Sequence, residues 1–73
     1  MTTEKAFMLV EHARGEQKEL WGYQALNWEE WLTILVEEVG EVARAIQEHD
    51  PKAFLLELSQ VAAVAIQIME SVE

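Results

Sequence analysis

The chain has no cysteine, which excludes disulfide staples and thiolate metal sites. Its only proline is Pro51, it has three glycines, and no internal repeat or low-complexity tract breaks it, so little interrupts regular structure. Basic residues are scarce: five Lys and Arg stand against fourteen Asp and Glu, giving a formal charge of −9. That charge repels nucleic-acid phosphates, and no direct binding to duplex DNA or RNA is expected. A signal-peptide pattern is also lacking, so the expected location is cytoplasmic, in a reducing cytosol. The densest apolar run, residues 61–69, is shorter than the ~20 residues a membrane span requires, so no membrane association is expected. At 73 residues the chain reads as one domain, 1–73. A core of that size supplies only ~3–5 kcal/mol. Oligomerisation or an oxygen-ligated ion remains as a source of support.

What is present is helical periodicity. A first stretch starts at Thr2 or Thr3 as N-cap and carries Ala6, Phe7, Val10, Ala13 and Leu20 at helical spacing, with Gly15 weakening its middle. Residues 21–26 read as a linker. Asn27, with Glu30 three residues on, makes a capping-box start for a second helix running to about Glu48. On it Trp28, Leu32, Leu35, Val39, Val42 and Ile46 alternate steps of four and three, which predicts a core stripe. Asp50 as N-cap and Pro51 at N1 open a third helix, where Phe54, Leu58, Val61, Ala65, Ile68 and Val72 repeat those steps. The short connection between the last two helices predicts an antiparallel hairpin turning about His49. Ala62, Ala63, Val64 and Ile66 widen the apolar arc of the third helix beyond one seam, so it needs a second helical partner, most simply from another subunit. The expected architecture is all-α: a three-helix chain with a central antiparallel helical hairpin, assembling into an oligomeric helical bundle.

Within that hairpin the acids form a pattern. Glu38 and Glu41 are i, i+3 neighbours on the second helix, and Glu38 lies among Ile34, Leu35 and Val42. Glu57 and Gln60 form a matching i, i+3 pair on the third, bracketed by Ala53, Phe54, Val61 and Val64. A turn at His49 brings Glu41 level with Glu57 and Glu38 level with Gln60. Carboxylates gathered in a low-dielectric groove repel one another unless a cation neutralises them, and all-oxygen ligands suit Mg²⁺ or Mn²⁺. Gly40, unfavourable in a helix interior by roughly 1 kcal/mol, fits a close approach of backbone or ligand there. The alternative is that these glutamates merely hydrogen-bond a neighbour or reach out to water. Glu37, one step further round, reads as solvated or as a holder of water. Arg44 has Glu41 and Glu48 as local ion-pair partners. His12 and His49 lack the spacing of a zinc motif.

The run Glu37-Glu38-Val39-Gly40-Glu41-Val42-Ala43, followed by Glu57-Leu58-Ser59-Gln60-Val61-Ala62-Ala63-Val64-Ala65, resembles the MazG-like nucleotide pyrophosphohydrolase family of the all-α NTP pyrophosphatase superfamily. The signature there is E-E-x-x-E on one helix and E-x-x-D on the next. The segment Gln17-Lys18-Glu19-Leu20-Trp21-Gly22 is similar to the family's entry region, and the likeness spans roughly residues 13–70. It implies Mg²⁺-dependent hydrolysis of a nucleoside triphosphate, NTP or dNTP, to a monophosphate and pyrophosphate, as in nucleotide-pool house-cleaning. It makes Glu38, Glu41 and Glu57 the metal ligands with Gln60 as fourth, Glu37 or Glu38 the catalytic group that orients water, and Gln17, Lys18 and Trp21 the substrate contacts. It also implies a homodimer or homotetramer. The last acidic position of the signature is Gln60 here, whose amide oxygen brings no charge. A nucleotide- or metal-binding module without turnover, or a structural helical oligomer, is the alternative.

Overall fold

Local signals set the boundaries of each helix. A computed structural model describes residues 1–22 and 24–72 and forms three α-helices, α1 Thr3–Trp21, α2 Trp28–Gln47 and α3 Pro51–Glu70, with no strand among the described residues. Thr2 caps α1, its side chain accepting from the Lys5 N–H at 3.2 Å. The capping box is complete: Asn27 Oδ1 accepts from the Glu30 N–H at 2.8 Å, and Glu30 Oε1 accepts from the Asn27 N–H at 3.1 Å. Asp50 caps α3 by accepting from the Ala53 N–H at 3.0 Å, with Pro51 at the first helical position. One boundary moves. Trp21 belongs to α1 rather than to the linker, because Gly22 adopts φ 64° and donates its N–H to Lys18 O at 2.9 Å, ending the helix one residue later. Gly15 does not interrupt α1.

The α2–α3 connection is a Schellman closure. Asp50 N–H donates to Ala45 O at 3.0 Å and His49 N–H to Ile46 O at 3.1 Å, which forces His49 into the left-handed region at φ 54°. α2 thus ends at His49, the residue about which the sequence places the turn.

α3 lies at the centre. α1 and α2 both pack on it, and they do not pack on each other. The second helical partner that the wide apolar arc of α3 requires is supplied, at least on one face, by α1 of the same chain. Ser59, Ala63 and Val64 are buried on α3, and Phe54, Val61, Ala65 and Ile68 are half-buried, while Leu58 and Val72 of the expected stripe are exposed. On α2 the correction is larger. Trp31 and Ala45 are buried and Ile34, Leu35, Glu38 and Val42 half-buried, whereas Trp28, Leu32, Val39 and Ile46 are exposed. The apolar arc of α2 holds two overlapping stripes, and α3 takes the one shifted toward Trp31. On α1 the covered residues are Leu9, Val10, Ala13 and Gln17, while Ala6, Phe7 and Leu20 are exposed. Beyond the dense apolar run at residues 61–69, α3 contains an 18-residue window of mean hydropathy 1.4, long and apolar enough by length and composition alone to cross a membrane.

Candidate carboxylate site and adjoining groove

Glu38 projects from the covered side of α2 and is half-buried. Removal from water raises its carboxyl above the ordinary 4.5, and the nearby charges of Glu57, Glu41 and Glu37, in that order, raise it further. Glu57, from α3, outweighs Glu41, only one turn away on the same helix. The two helices therefore bring together the acids of the two motifs. Glu57 is half-buried, Glu37 and Glu41 are exposed, and Glu41 faces Arg44 with Oε2 to Nη1 at 3.8 Å.

Gln60 is engaged elsewhere. Its Oε1 accepts a hydrogen bond from Gln17 Nε2 at 2.6 Å, and its main-chain oxygen accepts from the same nitrogen at 3.3 Å. Gln17 is buried, and its own Oε1 has no partner among the described residues. This pair fastens α1 to α3 at the level of the acidic motif.

The donor set of three glutamates and one amide oxygen has the chemistry of a hard divalent-cation site, and the raised Glu38 marks negative charge that the chain leaves uncompensated. Among the described residues, however, no three Asp, Glu or His side chains are gathered closely enough to hold an ion. Gathering them requires Glu41 to release Arg44 and Gln60 Oε1 to be shared with Gln17.

An open groove of about 1240 Å³ runs between the C-terminal half of α1, the linker, the start of α2 and the end of α3; none of Glu38, Glu41, Glu57 and Gln60 lines it, and Gln17, bonded to Gln60, links the groove to the acidic motif. Gln17 and Lys18 line it, and Trp21 does not. Arg14, Gln24, Asn27, Trp31 and Gln67 line it as well, none of which the sequence reading had singled out for a ligand. Arg14 carried a usable signal, since it sits one turn before Lys18 and gives the groove a second cation. Its guanidinium pairs with Glu70, also on the groove wall. Compared with known proteins, the chain matches no family model, no curated protein and no solved structure.

Proposed function

We propose that the chain is a Mg²⁺-dependent nucleoside triphosphate pyrophosphohydrolase, with Mn²⁺ as a second usable ion, acting in the cytoplasm on NTP or dNTP. One observation carries this reading: Glu38 feels Glu57, Glu41 and Glu37 at once, across two helices, with no cationic group offsetting its raised carboxyl. Glu38, Glu41, Glu57 and the Gln60 amide oxygen would hold the ion. When bound, it supplies neutralisation of phosphate charge. Glu37 or Glu38 orients a water and takes its proton. The water oxygen bonds to phosphorus, the bridge between the α and β phosphates breaks, and pyrophosphate leaves with the electron pair. Gln17 and Lys18 orient the nucleoside and its phosphates from the groove wall, and Trp21, which lies off that wall at the end of α1, would have to reach the base from outside it. The reading treats α2 and α3 as an antiparallel hairpin at the heart of a homodimer or homotetramer. It is tested by pyrophosphate release from a panel of ribo- and deoxynucleoside triphosphates with Mg²⁺ or Mn²⁺. Release that disappears in Glu38→Gln supports it, and none from a folded sample overturns it.

A second reading has its own observation. Gln60 Oε1 is already committed to Gln17 at 2.6 Å, which favours a module that binds nucleotide or metal without turnover. Calorimetry showing saturable binding with no product distinguishes it.

A further inference from the structure

The outward face of α2 carries Trp28, Leu32, Val36, Val39, Ala43 and Ile46, a single stripe at helical spacing. All six are exposed, and the five large ones each retain 50–66% of their surface. α1 packs on α3 and not on α2, so no helix of this chain covers the stripe. It contains no charge, although the chain has fourteen acidic residues.

Gly40 lies at the border of this face, four residues after Val36 and three before Ala43. A side chain added there would meet nothing within 4 Å, and its backbone is ordinary helix. Glycine in a helix interior is unfavourable by roughly 1 kcal/mol, and packing within the chain gives no reason for it. Gly40 and Ala43 together leave a shallow depression open to an approaching backbone.

We propose that the stripe is covered by the same stripe of a second copy, the two α2 helices running antiparallel about a two-fold axis between Val36 and Val39. In that arrangement Val36 meets the partner's Val39, Leu32 meets the partner's Ala43, and Trp28 meets the partner's Ile46. Leu32 then lies over the small Ala43, Val36 meets a residue of its own size, and Trp28 meets the unlike side chain of Ile46 near the end of the seam. A parallel pairing would set each residue against itself, crowding Trp28 and leaving a void at Ala43. The contact is isologous and closes on itself. With side chains of ~150–250 Å² for the aromatic and somewhat less for the aliphatic residues, it removes roughly 500 Å² of apolar surface per copy, about 1,000 Å² in total, the lower bound for a specific dimer. Keeping charge off the stripe is what two copies at −9 require.

This inference names the surface for the assembly proposed above and stands without the hydrolase chemistry. Its test reads mass and cross-linking, not activity, so failure of one leaves the other standing. Sedimentation of the full chain at micromolar concentration is expected to give a dimer that tightens with added salt. Val36→Glu should weaken it at least a hundredfold while helicity by circular dichroism persists. Because the chain has no cysteine, a mixture of Leu32→Cys and Ala43→Cys chains should oxidise to a mixed disulfide, with neither variant cross-linking to itself. A monomer at every concentration, a dimer indifferent to Val36→Glu, or self-cross-linking of Leu32→Cys overturns the proposal, as does a monomer that instead binds neutral lipid vesicles through this face.

Discussion

Gln17 is a buried amide whose Nε2 donates to Gln60 while its Oε1 has no partner among the described residues. Gln60→Leu is expected to strand the remaining polar group and lower stability by ~1–3 kcal/mol, and the Gln17→Leu, Gln60→Leu double variant should lose less than the sum of the singles. Denaturant melts of the four proteins check this. Additive losses would mean that the amide pair does not couple α1 to α3. Glu38 yields a prediction of opposite character. Its folded carboxyl binds a proton more tightly than the unfolded one, so its contribution is fully present below the ordinary value of 4.5 and is lost as pH rises through the raised folded value. Without divalent metal, Glu38→Gln should therefore raise the melting temperature at neutral pH and flatten its acid-side slope. With Mg²⁺ the order should reverse, the wild type gaining stability and Glu38→Gln gaining none. Thermal melts across pH, with and without the ion, decide between these outcomes.

At the level of the helices, the ends are where stability can be moved predictably. His49 occupies the left-handed region at φ 54° to close α2, a conformation that disfavours a side chain by ~1–2 kcal/mol. His49→Gly is expected to stabilise the protein by about 1 kcal/mol, a gain of ~4–8 °C for a domain of this size. Asp50→Ala, which removes the acceptor for the Ala53 N–H, should lower it by a similar amount. Calorimetric melts of the two variants check both signs. If His49→Gly destabilises instead, the Schellman closure is not the conformation that ends α2.

The whole molecule is an open layer of three helices with α3 between α1 and α2, with Glu38 and Glu57 half-buried near one another and an apolar face turned outward. A cation bound only by the folded state at 100 times its dissociation constant adds ~2.7 kcal/mol. Melting in Mg²⁺ should accordingly rise by several degrees, and Glu38→Gln, Glu41→Gln and Glu57→Gln should each reduce that rise. An unchanged melting temperature would point to acids that serve only solubility.

Helix number, the three N-caps and the turn at His49 were legible in the residues, because each depends on contacts within one or two helical turns or across a connection of three residues. The outcome differed where a choice between faces was involved. The step of four and three through Trp28, Leu32, Leu35, Val39, Val42 and Ile46 is real, but an apolar arc wide enough for two stripes does not say which one α3 will take. Trp31, Glu38, Val42 and Ala45 face inward because α3 packs there. α1 settles on α3 through Ala13 and Gln17 rather than through Phe7. The partnership of Gln17 with Gln60, forty-three residues apart, has no local signature at all. Sequence determined the elements and their charges, since capping and periodicity are short-range; only tertiary packing decided which faces meet, since that is a competition among surfaces of nearly equal hydrophobicity.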